Sequence, residues 1–386
     1  MPLLRIAELL PAVPWLIPFL TLPRLARGSP NLSDAPKCSG KLLSAIIPAR
    51  NESSTIATVL ESILRSTYHP LELLVVDDRS TDDTAAVVES FSADARLRMI
   101  RGAELPEGWY GKPWACYQGY QQSRGELLLF LDADTRQHPE LLERAVGALL
   151  TERAALVTIS PFQRCITFWE RLVMPQIWFL LALRYTPSSV NQARRPRDVI
   201  ANGQFILTTR DAYETAGTHA AVRHEVAEDL ALAQTYLSKG LKLHFAFAER
   251  LMETRMYRDL ASLIEGWSKN IYLGGRRSFP EQPILQALVP IMLTAAMLYW
   301  LVPPTVLAWS ALVSGSSRFL APAAIATGSS TAFWMLICYG MSIPALYGLG
   351  YPLGALMALY IALRSTWRGN RRVEWRGRVY KKNVKQ

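Results

Sequence analysis

The apolar positions of this chain fall into two regimes. Between residues 41 and 282 they come in short runs separated by charged and turn-forming residues, whereas from Pro283 to Leu363 they are nearly continuous, with Arg318 the only charged side chain. A stretch that long without charge cannot face water, so it predicts membrane-embedded helices. It divides into segments at about 284–313, with a break expected at Pro303-Pro304, then 319–341 and 344–363. An earlier run, Leu9 to Leu22, carries Pro11, Pro14 and Pro18 between flanking arginines. It reads as an uncleaved anchor rather than a signal peptide, because no small-x-small cleavage site follows.

Within the first regime the pattern alternates between strand and helix. Leu42 to Pro48 is a continuous apolar run, Ile56, Val59, Leu60, Ile63 and Leu64 recur at helical spacing, and Leu71 to Val76 is apolar again. Ser80 and Asp83 suggest a capping box opening a helix through about Ser92. Strands are expected at Leu97–Ile100, Glu126–Leu131 and Leu156–Ser160, with helices near 113–122 and 139–150. This order predicts a mostly parallel sheet covered by helices, with ligands at the carboxyl ends of its strands. Phe168 to Leu183 is aromatic-rich but interrupted by Glu170, Arg171 and Pro175, so it reads as a core helix or an interfacial one, not a span. Residues 184–198 read as an exposed loop. The resulting plan is an anchor and linker (1–40), a globular unit (41–282), a membrane region (283–363) and a basic tail (364–386).

Charge refines this plan. The chain has 42 Lys+Arg against 32 Asp+Glu, a formal charge of +10. Much of the excess lies after Leu363, where nine basic residues accompany only Glu374. A positive flank beside apolar helices marks the cytoplasmic side and attracts anionic lipid, and with no base-stacking or groove-reading motif nucleic acid is not an expected partner. The four cysteines show no CxxC spacing, which argues against zinc and disulfides.

The polar clusters sit where strands end. Asp132-Ala133-Asp134 follows the Leu131 strand, and two carboxylates there can hold Mg²⁺ or Mn²⁺ gripping a diphosphate, although a lone triplet of this kind is more often a turn. Asp77-Asp78 ends another strand and suits helix capping or contact with a base or ribose. Lys112, between Gly111 and Pro113, can reach phosphate oxygens or be an ordinary surface lysine. Glu228-Asp229 either opens a helix or presents a general base.

Taken together, AIIPARNE (45–52), LVVDDRSTDDT (74–84), Gly111-Lys112 with Ala115 and Gly119, GELLLFLDAD (125–134) and Ala227-Glu228-Asp229 resemble the ordered motifs of inverting family 2 glycosyltransferases. The resemblance covers about residues 41–275. Ala201 to Phe205, Arg255-Met256-Tyr257 and Gly266 to Asn270 are similar to the membrane-bound branch that glycosylates lipids, including carotenoid- and hopanoid-associated enzymes. It implies a GT-A fold, an α/β nucleotide-diphospho-sugar transferase architecture with a Rossmann-like sheet, joined here to transmembrane helices. It further implies that Pro48, Ala49, Arg50 and Glu52 line the nucleotide pocket, Asp78 contacts the base, Lys112 and Asp132 the sugar nucleotide, and Asp134 with Asp132 the metal. Asp229 would be the base beside Glu228, with Gly203, Gln204, Trp267 and Lys269 on the acceptor side. The expected partners are a UDP- or GDP-sugar, a lipid acceptor and the bilayer.

The chain departs from the family pattern at Arg79, where a small residue is common, and it lacks the QxxRW signature of processive synthases near Gly266-Trp267, which favours transfer of a single sugar. Placing the globular unit and the tail both on the cytoplasmic face of the inner membrane requires an even number of crossings, two or four. Two other classes fit the acids less completely: a metal-dependent nucleotidyltransferase releasing pyrophosphate, and a non-catalytic membrane scaffold with a degenerate nucleotide fold.

Overall fold

The computed structural model describes residues 9–23, 29–314, 317–369, 373–375 and 378–380. Its centre is β1 (Leu43–Ala49), buried at every position, as a strand covered on both faces must be. It pairs in parallel with β2 (Leu71–Asp77), which pairs in parallel with β3 (Leu97–Arg101). On its other side lies β4 (Leu127–Leu131), also parallel. Beyond β4 the sheet turns mixed. β8 (Phe205–Thr209) runs antiparallel between β4 and β6 (Leu156–Ser160), and β9 (Leu243–Phe247) closes that edge parallel to β6. The order is 3-2-1-4-8-6-9.

Helices cover both faces. α1 (Ile56–Leu64) and α4 (Leu141–Thr151) present their apolar stripes to one face, burying Val59, Leu60, Leu141 and Leu149 in the same core as Ile47, Val75 and Leu129. On the other face α3 (Gly111–Gln122), α7 (Arg210–Thr215) and α8 (Glu228–Ser238) pack over Ile46, Leu128 and Leu156. Between them, α2 (Thr84–Glu89) is shorter than the sequence suggests. The expected capping box does not form, because the Ser80 hydroxyl accepts from Asn51 N at 3.1 Å and so knits the loop after β2 to the loop after β1.

Residues 184–198 are not simply an exposed loop. They contain α6 (Pro187–Asn191), which follows α5 (Phe168–Arg184) and buries Val190. Asn191 accepts from Phe245 N (2.6 Å) and donates to Phe245 O (3.0 Å), sealing part of the open edge of β9. No local pattern announces this, since the partner strand lies more than fifty residues away.

A small sheet of β5 (Thr135–Gln137), β10 (Met252–Thr254) and β7 (Phe162–Gln163) connects the unit to α9 (Leu260–Arg277). Two long apolar helices follow: α10 (Pro283–Trp309) and α11 (Ser317–Gly340). A 3₁₀ turn, Ala345–Gly350, then leads into α12 (Tyr351–Arg368). Three segments, 283–312, 319–340 and 345–368, are long and apolar enough to cross a membrane. Of the basic tail beyond α12, the described residues include an antiparallel pair, β11 (Val373–Trp375) with β12 (Arg378–Tyr380). The rest of that tail lies outside the described residues.

The break expected at Pro303-Pro304 is absent: α10 runs through both. Proline at 303 has no N–H for the carbonyl of Tyr299, and the indole Nε1 of Trp15 donates to that oxygen instead, at 2.8 Å. The Trp15 and Tyr299 rings stack at 5.4 Å. The N-terminal segment thus forms two 3₁₀ turns, Leu10–Trp15 and Ile17–Thr21, docked on α10 and α11.

Candidate active site

β4 delivers Asp132, Ala133 and Asp134 to the carboxyl edge of the sheet, next to the N-terminus of α3, which carries Lys112. From across the cleft the first turn of α8 adds Glu228 and Asp229. Lys112 Nζ stands 2.8 Å from Asp132 Oδ1 and 2.9 Å from Glu228 Oε1, so one ammonium bridges two strand- and helix-borne acids that are 96 residues apart in sequence. Its proton is held well above the ordinary lysine range: burial works against the charge, and the carboxylates of Asp132, Glu228 and Asp229 outweigh it.

Asp229 is oriented from its own helix and from the turn before β8. Its Oδ1 accepts from Leu230 N at 2.7 Å and its Oδ2 from Gly203 N at 2.9 Å. Burial, then the neighbouring Glu228 charge, push its carboxyl up to about 6, with Lys112 opposing. Burial would raise Glu228 too, yet its direct pairing with Lys112 leaves it below the usual range. Two adjacent acids are thereby driven apart, the separation expected of groups assigned different proton-handling tasks. Gly203 is glycine for a steric reason: a Cβ there would stand 3.0 Å from both Asp229 Oδ2 and Lys112 Nζ.

These groups line one cavity of about 1340 Å³. Its polar end holds Pro48, Glu52, Lys112, Asp132, Asp134, Gly203, Gln204, Glu228 and Asp229; Trp267 and Lys269 of α9 line it further along. The cavity continues between α5, α10 and α11, where Trp178, Leu181, Leu293, Met297 and Ile337 form an apolar wall. Carboxylates and the apolar faces of α5, α10 and α11 therefore share a single continuous space.

Residues 44–217 match the family described as Glycosyl transferase family 2. They form a family 2 glycosyl transferase domain. Among relatives, the 4,4'-diaponeurosporenoate glycosyltransferase of Staphylococcus aureus strain MRSA252 is 30% identical over 255 residues, 64% of this chain and 65% of that protein. Its counterpart in strain USA300 is 29% identical over 253 residues, with the same coverage. The match thus spans a little under two thirds of these relatives' length. The mannosyltransferase of Pyrobaculum calidifontis, solved with GDP-Man and Mn²⁺, superposes with a TM-score of 0.56 at 19% identity, covering 94% of this chain and 97% of that one. At that identity the likeness concerns the fold, which is GT-A.

Within the glycosyl transferase domain, Ala49, Arg50 and Asp78 do not line the cavity. Ala49 is a core residue of β1 and Asp78 is fully buried. Arg50 Nη1 donates to the carbonyls of Asp78 (2.6 Å) and Arg79 (2.7 Å), and Asp78 N donates to Ala49 O (2.8 Å), so these residues brace the rim behind Pro48 and Glu52. Asp77 caps locally, accepting from Ser80 N at 3.2 Å. Sequence reasoning passed over His219, buried beside the Phe130 ring and hydrogen-bonded through Nδ1 to the Tyr213 hydroxyl at 2.7 Å. Burial lowers it to about 3, so it stays neutral in the field of Glu228. A lone histidine carries no sequence signal of this placement. The Asn202 side chain donates to Ile159 O and Gln204 Oε1 and so shapes the turn that presents Gly203.

Proposed function

We propose that this chain is an inverting glycosyltransferase that moves one sugar from a nucleoside-diphosphate sugar to a hydroxyl of a membrane-dissolved acceptor. The observation that carries this reading is the continuity of the cavity, from the Lys112–Asp132–Glu228–Asp229 cluster to the apolar wall of α5, α10 and α11. Relatives named for 4,4'-diaponeurosporenoate and a GT-A neighbour named as a mannosyltransferase support it.

On this reading the nucleotide lies along the loops after β1 and β2, with Pro48 and Glu52 against it. Ala49, Arg50 and Asp78 form the bed beneath, with Asp78 acting on the base from behind the rim rather than from the cavity wall. Lys112 exchanges part of its pairing with Asp132 and Glu228 for the diphosphate oxygens, as a point charge. The acceptor hydroxyl gives its proton to Asp229 as its oxygen attacks the anomeric carbon from the face opposite the departing diphosphate. Gly203 and Glu228 keep that carboxylate aimed, and Gln204, Trp267 and Lys269 flank the acceptor's approach.

Asp132 and Asp134 suit a hard divalent cation, Mg²⁺ or Mn²⁺. Among the described residues no three acidic, histidine or cysteine groups converge to cage an ion. Two carboxylates, with the rest of the shell from substrate phosphates and water, is the usual provision for such an ion. When bound, it would stabilise the charge that develops on the diphosphate.

The test is product analysis with purified full-length protein in lipid vesicles. Transfer should release nucleoside diphosphate and yield a lipid heavier by one sugar in mass spectrometry. Pyrophosphate release would mean a nucleotidyltransferase, and no metal-dependent retention of any sugar nucleotide would mean a scaffold.

A further inference from the structure

The central sheet sets the distance between the two halves of the site only as far as its ladder runs. β4 and β8 stay paired up to the rim, where Asp132 N still donates to Gln204 O at 3.3 Å. Two residues on, Asp134 has left that ladder, and Asp229, on α8, is not part of it. A strand from much later in the chain reaches both. β10 pairs antiparallel with β5 and parallel with β7, and this register sets Thr254 opposite Thr135, the residue after Asp134.

Thr254 is buried, and its single hydroxyl serves both sides. Oγ1 donates to the backbone carbonyl of Asp134 at 3.2 Å and accepts from Gln204 Nε2 at 3.2 Å. Gln204 Oε1 accepts from Asn202 Nδ2 at 3.1 Å, and Asn202 Oδ1 accepts from Gln204 N at 3.2 Å. These bonds close the turn whose middle residue, Gly203, gives its N–H to Asp229 Oδ2 at 2.9 Å. A connected run of hydrogen bonds therefore leads from the acids after β4 to Asp229, through a residue that is not among those lining the cavity. Thr254 is itself held in place. Its carbonyl accepts from Arg164 N at 2.8 Å, and the next residue, Arg255, makes a two-point pair with Glu170, buried at the start of α5, at 3.0 and 3.2 Å. Removing the hydroxyl would leave a buried carbonyl and a buried amide each short of a partner, so the run stands or fails together.

We infer that Thr254 is a positioning residue for sugar transfer, its hydroxyl fixing the gap between the Asp132–Asp134 loop and Asp229 without touching either substrate. The assignment rests on the transferase reading above. A misplacement of about 1 Å at a reacting group can lower a rate on the order of 100-fold. The acceptor hydroxyl, with its apolar part seated between α5, α10 and α11, has no freedom to follow such a shift. Water attacking the same donor has that freedom. Loss of the Thr254 hydroxyl should therefore lower transfer more than donor hydrolysis.

The experiment uses the full chain in phosphatidylcholine vesicles containing hexadecanol, with GDP-mannose, UDP-glucose and UDP-N-acetylglucosamine as donors, and reads glycosylated alcohol against free sugar. That ratio counts only folded molecules, so a merely destabilised variant leaves it unchanged. Thr254→Val and Thr254→Ala, which both lack the hydroxyl, should lower the ratio by at least about tenfold. Thr254→Ser, which keeps the same donor and acceptor, should stay within about twofold of the parent. Using both Val and Ala keeps the test open if one of them fails to fold. Gln204→Leu already severs the run, so adding Thr254→Val to it should change the ratio little further. A parent-like ratio in a hydroxyl-free variant, a serine variant as impaired as the others, or losses that simply add would each overturn the positioning role. Transfer from none of the three donors by the unaltered chain would instead overturn the transferase reading, and the assignment with it.

Discussion

Asp229 shows how one residue's surroundings set both a cost and a use. Its folded-state carboxyl is raised to about 6, so it binds its proton more tightly folded than unfolded, and its ionisation opposes folding as pH rises through that value. Asp229→Asn should therefore raise the melting temperature at pH 8, with the gain shrinking towards pH 4, while sugar transfer falls by about 10²–10⁴-fold. Paired thermal melts and transfer assays read both; a variant that keeps near-normal turnover removes Asp229 as the base. In the unaltered protein kcat/KM should fall as pH drops below about 6, because only the ionised carboxylate accepts a proton. Gly203→Ala tests the same cluster sterically. The added methyl would press on Asp229 Oδ2 and Lys112 Nζ, each 3.0 Å from its Cβ position, so transfer should fall by at least about tenfold through a misplaced base. Circular dichroism unchanged from the parent would show that the fold survived.

At the scale of elements, the docked N-terminal segment and α10 depend on each other through a proline. Trp15 supplies the donor that Pro303 lacks, and Trp15→Phe keeps the ring while leaving the Tyr299 carbonyl without that bond. The expected loss is about 1 kcal/mol, read as a lower unfolding midpoint in detergent titration, in line with interhelical hydrogen bonds in membranes. An unchanged midpoint would show that stacking on Tyr299 alone holds the segment. The strand and helix positions of the first half were legible because their period is local: β6 occupies Leu156–Ser160 as the apolar run indicates. Ser80 misled because its capping pattern competes with a partner, Asn51, brought in by the neighbouring loop.

For the whole molecule, the arrangement couples the carboxylate-bearing edge of the sheet to an apolar chamber between α5, α10 and α11. If the acceptor's apolar part occupies the chamber, narrowing it with Leu293→Trp and Ile337→Trp should abolish transfer to a long-chain acceptor and spare donor hydrolysis by water, measured as nucleoside diphosphate released. Both residues line the far end of the cavity, away from the carboxylates. Loss of both reactions would instead point to general disruption.

The chain's order of residues determined the alternation that builds a nucleotide-type sheet, the acids at its strand ends and the uncharged stretch for lipid, because each of these is written in neighbouring positions. Tertiary structure decided which acids meet. Lys112, Asp132 and Glu228 converge only because β4 ends and α3 and α8 begin at one edge, and Asp229 becomes a weak acid only once burial and Glu228 surround it. It also decided that α12, apolar enough to span, is tied to Arg171 at one end and Glu265 at the other. Hydropathy measures what a segment can dissolve in; where it lies depends on the distant side chains that hold its ends.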